Sequence, residues 1–287
     1  PRSTLFPYTT LFRSCTMAEH GIENVLEFVG QGLPDMYSDD LSLFVLDAGI
    51  KLLEQRRPDI LYLSLTDFIQ HSYPPGHETA DQFYKDMDDR FGRLAELGAV
   101  VALIADHGMN DKSDADDAQK VIWLQDVLDD QCGEGAVTVI CPITEAFVGH
   151  HGALGGFVRV YCNEGLEADR VIEAIEGITG IEKIMTAETV CRELEQPMDR
   201  EGDVAVLADK GTVIGSRAAD HDLSGLQGHR LRTHGSLHES HVPFVISEPL
   251  NDAYAERGAA GGLRSHEIFH FAINGPEIGR ASCRERV

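Results

Sequence analysis

Basic residues are scarce in this 287-residue sequence: 24 Lys and Arg stand against 48 Asp and Glu, a formal net charge of -24 with histidine neutral. Nucleic-acid backbones are gripped by clustered Lys and Arg, so the imbalance excludes nucleic acid as a partner class and disfavours anionic lipid. It does not exclude a small anionic substrate, because bound metal cations set a pocket's own potential. Long hydrophobic runs are missing too. The longest near-apolar stretch, 98–105, falls far short of the roughly 18 residues of a membrane-spanning helix, so no membrane span is expected. The six cysteines (Cys15, Cys132, Cys141, Cys162, Cys191, Cys283) contain no CxxC pair. That spacing argues against a zinc ribbon and a dense disulfide scaffold and makes a reducing cytoplasm the expected location. With 43% hydrophobic and 25% charged residues, the composition is that of a globular chain with one large domain or two modest ones.

Two terminal strings stand apart. PRSTLFPYTTLFRS (1–14) lacks the basic start and apolar core of a secretory signal and fits no helix or strand period. It reads as translated sequencing adapter, as does IGRASCRERV (278–287), and both are set aside from fold reasoning. On this reading the natural chain is broken near Cys15 and its upstream part is missing.

Between them the pattern alternates. Residues 39–56 place Leu41, Phe44, Val45, Ala48, Leu52 and Leu53 at helical spacing, and Pro58 ends that helix. The short apolar run 60–65 predicts a buried strand ending at Asp67. Residues 77–97 carry Phe83, Met87, Phe91, Leu94 and Leu97 on one helical face, and 99–105 predicts a second strand ending at Asp106. Helix–strand–helix–strand order argues for a parallel sheet flanked by helices, which binds ligands beyond the carboxyl ends of its strands. From about 119 the rhythm changes. A helix at 124–130, strands at 136–140 and 156–161, a helix at 166–177 and a strand at 204–207 suggest an inserted α+β cap over 119–225. A strand at 242–246 and a helix at 266–273 resume the core, which thus comprises 15–118 and 226–277.

Both core strands end in acid-and-histidine text: TDFIQH gives Asp67 and His71, and ADHG gives Asp106 and His107. If the strands are neighbours, these groups reach one crevice. Carboxylates mixed with imidazoles suit zinc or manganese, and several could hold two metals about 3.5–4 Å apart. RTHGSLHESHVPF adds His234, His238 and His241. Each piece has a plainer reading. An isolated DxxxH also describes an Asp capping a helix beside a surface His, whereas an Asp at a buried strand end is costly unless paired or coordinated. His238, His241 and His77 read as loop residues. His150 and His151 in HHGALGGF either face the crevice or cap a turn, and Arg217, Asp220 and His221 read as an ordered cap loop.

In this order, DFIQH, ADHGMNDKSDA, PITEAFVGHHGALGGF, IGSRAADHDLSG and RTHGSLHESHVPF resemble the phosphonoacetate hydrolases of the alkaline phosphatase superfamily, over about 15–274. The resemblance implies an α/β, alkaline-phosphatase-like sandwich with a mostly parallel central sheet. It implies two Zn2+ ions, one held by Asp67, His71 and His234 and the other by Asp106, His107 and further ligands; His150 and His151, from the reading of HHGALGGF, are the candidate cap or substrate residues. Where the family usually has a second glycine after His234, this chain has Ser236. The implied reaction is hydrolysis of a small anionic phosphonate, phosphonoacetate, to acetate and phosphate through a phospho-threonine. That Thr, a further Asp ligand and the carboxylate-binding lysines come from an N-terminal portion with no counterpart here, and neither Ser64 nor Thr66 is assigned as nucleophile. A phosphomonoesterase or phosphodiesterase of the same superfamily is the first alternative. A truncated, inactive metal-binding fragment is the second, and for the literal chain it is the leading expectation. A homodimer is compatible with the sequence.

Overall fold

The computed structural model describes residues 23–35, 37–113, 118–142, 151–226 and 230–277. The two adapter-like strings and His150 lie outside them. In chain order the helices and strands begin α1 (Val25–Val29), α2 (Asp40–Arg56), α3 (Phe68–Ser72), α4 (Glu78–Glu96), β1 (Ala102–Ile104), β2 (Asn110–Asp111) and β3 (Val121–Trp123). There follow α5 (Leu124–Cys132), β4 (Val137–Ile140), β5 (Phe157–Cys162), α6 (Ala168–Ile175), β6 (Ile181–Thr186), α7 (Ala187–Glu193), β7 (Val204–Ala208) and β8 (Val213–Gly215). The last are β9 (Arg232–Thr233), β10 (Phe244–Ile246), α8 (Asp252–Ala259) and α9 (Ile268–Asn274). The chain divides into two compact units, one containing 67–77 and 107–241 and the other the remaining described residues.

The first unit is built on a four-stranded antiparallel sheet in the order β4-β5-β7-β6. β7, VAVLA, is buried at every position because helices cover both faces. Val204, Val206 and Ala208 join Val158 and Val160 under Leu124 and Leu128 of α5 and Val171 and Ile175 of α6. Ala205 and Leu207 turn the other way, onto Met185 and Val190. A strand covered on both faces must read as a continuous apolar run, and each buried Val or Leu adds roughly 1.5–3 kcal/mol. The Gln125 side chain accepts from Val139 N–H at 2.8 Å and donates to Val137 C=O at 3.2 Å, so it satisfies backbone groups of the edge strand β4. β3 and β8 pair in parallel, and β2 and β9 antiparallel.

The second unit contains α2 and α4, joined where Arg90 Nε and Nη2 donate to the two Asp47 carboxylate oxygens at 2.8 and 3.0 Å. Asp39 caps α2, Arg57 ends it in the left-handed region, and Pro58 follows. Residues 60–65 correct the expectation of a buried strand. They form no strand, and Ile60 and Tyr62 are 70% and 76% exposed, while Leu61, Leu63 and Leu65 are half-buried. Gly49 lets Leu63 approach α2, since a Cβ there would lie 2.5 Å from the Leu63 side chain. Among the described strands β1 pairs with β10 alone, and antiparallel, at Ala102↔Ile246 and Ile104↔Phe244. An apolar run reports burial but carries no strand direction, so the inferred parallel pairing of 60–65 with 99–105 had no direct signal behind it. The helices at 39–56 and 77–97 and the elements expected within 119–225 do form, within a few residues. The sequence reading passed over α1, β2, β3, β6, α7, β8, β9 and α8.

Candidate metal centre

The centre is built from residues flanking short elements of the first unit, Asp67 and His107 ahead of α3 and β2 and His234 just after β9. Asp67 precedes α3 and makes no side-chain capping bond, while His71 is buried one helical turn later on the same face. The plainer reading of DxxxH, a capping Asp with a surface His, therefore does not apply. Asp67 Oδ2 lies 3.1 Å from His71 Nε2, 3.7 Å from His107 Nε2 and 4.0 Å from His234 Nε2. The imidazoles of His107 and His234 stack with centroids 3.4 Å apart, His234 lies 5.5 Å from His71, and His151 stacks on His71 at 4.8 Å.

Ring tautomers follow from the partners of Nδ1. His71 Nδ1 lies 2.6 Å from Arg232 C=O and His107 Nδ1 lies 3.0 Å from Gly108 C=O. A carbonyl can only accept, so both Nδ1 atoms carry hydrogen and donate it, and both Nε2 atoms face one carboxylate oxygen. Each such approach calls for a proton or a cation between nitrogen and oxygen. Electrostatics agree. Burial alone would raise Asp67, but the hydrogen bond from His71 and the nearby His71, His107 and His234 outweigh it and hold the carboxyl well below the usual carboxylate range. Burial, then the charges of His107 and His71, push His234 down to about 3 against a partial pull from Asp67. Both groups are thus in the deprotonated form that binds metal.

Asp67, His107 and His234 present ligand atoms all within 4.8 Å of one another. One hard oxygen and two imidazole nitrogens fit zinc and its neighbours, and the donated Nδ1–H bonds are the outer contacts usual for metal-bound histidine. His71 adjoins the same oxygen, and His151 lies buried behind it. Asp106 is exposed at the end of β1 and belongs to the second unit. His238 bonds Glu182 at 2.6 Å, His77 stacks on Tyr73 at 4.6 Å, and His241 is exposed, as loop residues do. Arg217 pairs with Asp129. His221 accepts Ser216 N–H at Nε2 (2.9 Å) and donates from Nδ1 to Gly152 C=O (2.6 Å), which ties its loop to the residue beside His151.

Sequence reasoning missed what holds these loops. Gly156 N–H donates to His234 C=O at 2.8 Å, and a Cβ at Gly156 would lie 2.5 Å from Ser236 N. Ser236 and Glu239 form a capping box around the 3-10 turn Leu237–Glu239. Its S-x-x-E spelling in SLHE was a legible signal.

Residues 20–237 match the family described as type I phosphodiesterase / nucleotide pyrophosphatase. The chain is similar to phosphonoacetate hydrolase from Sinorhizobium meliloti 1021, solved in complex with phosphonoformate and with phosphonoacetate, at 38% identity and a TM-score of 0.81. That match covers 92% of this chain and 63% of the relative, so the chain spans less than two thirds of the relative's length. Murine ectonucleotide pyrophosphatase / phosphodiesterase 5 shares the fold at 19% identity and a TM-score of 0.51, over 79% of this chain and 61% of that one. The α/β, alkaline-phosphatase-like class expected from the motifs is the class observed. With the match extending over most of its length and the expected ligands Asp67, His107 and His234 gathered together, the chain belongs to the type I phosphodiesterase / nucleotide pyrophosphatase family.

Proposed function

We propose that this chain carries the metal-binding part of a zinc hydrolase that cleaves phosphonoacetate to acetate and phosphate. The observation that carries the reading is its 38% identity, over 92% of its length, to an enzyme solved with phosphonoacetate bound. Asp67, His71, His107 and His234 would hold zinc, with Asp106 as a ligand of a second ion. Bound zinc would supply positive charge to the phosphonate oxygens and lower the barrier to attack at phosphorus.

The chain's own residues would prepare that site. Asp67 contributes a fixed negative charge, the Nδ1–H bonds to Arg232 and Gly108 carbonyls aim the imidazoles, and buried His151 closes the side behind His71. The layer over 119–225 would act as a cap that excludes water. Overall, water gives hydroxide to phosphorus and a proton to carbon. The carbon–phosphorus electron pair leaves on carbon, where the adjacent carboxylate delocalises it. No hydroxyl of this chain is assigned as nucleophile. Thr66 Oγ1 lies 3.3 Å from Ser42 Oγ, and the buried Thr233 hydroxyl donates to Leu154 C=O at 3.0 Å.

Phosphate release from phosphonoacetate and from p-nitrophenyl phosphate tests this. The zinc-loaded chain is assayed alone and fused to the portion of the Sinorhizobium enzyme that it does not match. The fusion is expected to act on phosphonoacetate and to lose that activity in D67N. The chain alone is expected to hold fewer than two tight zinc ions and to release no phosphate. Action of the fusion on p-nitrophenyl phosphate alone would reassign it as a phosphomonoesterase or phosphodiesterase.

A further inference from the structure

We propose that Glu239 and Lys112, a buried ion pair outside the ligand set, are positioning residues that tie the His107 loop to the His234 loop and so set the affinity of the centre for metal. The inference rests on reading the cluster as a metal site. The two side chains are 1% and 0% exposed and meet at 3.0 Å. A buried ion pair is weak support for stability, because apolar side chains of similar volume often serve as well. What distinguishes this pair is where its bonds go.

Glu239 Oε1 accepts from Asn110 Nδ2 at 2.6 Å and from Lys112 Nζ at 3.0 Å, both on the segment that starts at His107. Its Oε2 accepts from Ser236 N–H and Ser236 Oγ, each at 2.8 Å, on the segment that starts at His234. The backbone carbonyl of Glu239 accepts from Gly108 N–H at 2.6 Å, one residue past His107. Lys112 also donates to Lys210 C=O at 3.0 Å, in the turn before β8. One carboxylate therefore takes two bonds from each histidine loop, with every polar atom of the pair engaged at low dielectric. The serine that departs from the family's usual glycine supplies two of the four. If either loop shifts, the close stack of His107 on His234 and the approach of both Nε2 atoms to Asp67 shift with it.

The test compares E239Q and K112M with L128A, a cavity in the core of the sheet layer. Dissociation constants for Zn2+ and Co2+ are measured against a chromophoric chelator well below the melting temperature, with the Co2+ visible spectrum as a readout of ligand geometry. E239Q and K112M are expected to weaken metal binding about 10–100-fold and to alter the spectrum, as loss of outer contacts to metal ligands does. L128A is expected to lower the melting temperature and leave both readouts alone. Ser236→Ala, which removes one of the four bonds, should weaken binding a few-fold and serves if E239Q does not fold. Wild-type affinity and spectrum in K112M together with either E239Q or S236A would overturn the positioning role. Failure of the wild-type chain to bind either metal would instead overturn the metal reading, and the inference with it.

Discussion

At the scale of residues, His234 shows how burial and neighbouring charge decide chemistry. Its folded pKa of about 3 lies below its ordinary 6.5, so the unfolded chain takes up a proton in that interval while the folded chain does not. The stability it contributes is complete above about 6.5 and is lost as pH falls toward 3; Asp67, also depressed, adds a loss in the same direction below about 4. Melting temperatures recorded in chelator at pH 7, 5.5 and 4.5 should fall steadily in the wild type and less steeply in His234→Asn; parallel slopes would contradict the assignment. Gly156→Ala is expected to cost about 1–3 kcal/mol in urea unfolding, because its methyl would press on the backbone of Ser236. Asp67, His71 and His107 were singled out in the sequence because acid-and-histidine text follows apolar runs, and His234 because it stands in histidine-rich text before the strand at 242–246. Glu239 was not, because a lone Glu in a polar loop looks solvated until a buried lysine faces it.

Elements were legible in proportion to how far one face dictates composition. The amphipathic helices α2 and α4 and the doubly covered β7 could be read directly, because periodicity follows from what each face touches. Replacing Arg90 with Met should cost roughly 1 kcal/mol, seen as a lower urea midpoint, since it removes a two-point, partly buried contact that joins α2 to α4. Leu128→Ala, by contrast, should cost about 2–5 kcal/mol, because it opens a cavity where α5 meets the sheet. The run 60–65 was misread for the same physical reason that β7 was read well. Apolar continuity signals contact on both faces, and here Ile60 and Tyr62 are mostly exposed. Strand direction was likewise invisible, since antiparallel β1–β10 and a parallel pair would be written with the same residues.

For the molecule as a whole, the exposed Ile60 and Tyr62 form an apolar strip on an otherwise strongly acidic chain. If these residues drive association, Ile60→Lys with Tyr62→Lys is expected to reduce concentration-dependent light scattering without lowering the melting temperature; scattering equal to that of the wild type would contradict this. Among the described residues no helix is long and apolar enough to cross a membrane. The sequence by itself determined the acidic character, the amphipathic helices α2 and α4, the strands β4, β5 and β7 and the residue types of a metal centre, because each depends on composition or on spacing within a few residues. Only the tertiary structure decided that Asp67, His107 and His234 meet, which nitrogen of each ring faces inward and that Glu239 ties their loops together. These depend on contacts between segments far apart in the sequence, 161 residues for His71 and Arg232 and 127 for Lys112 and Glu239, which no local pattern encodes.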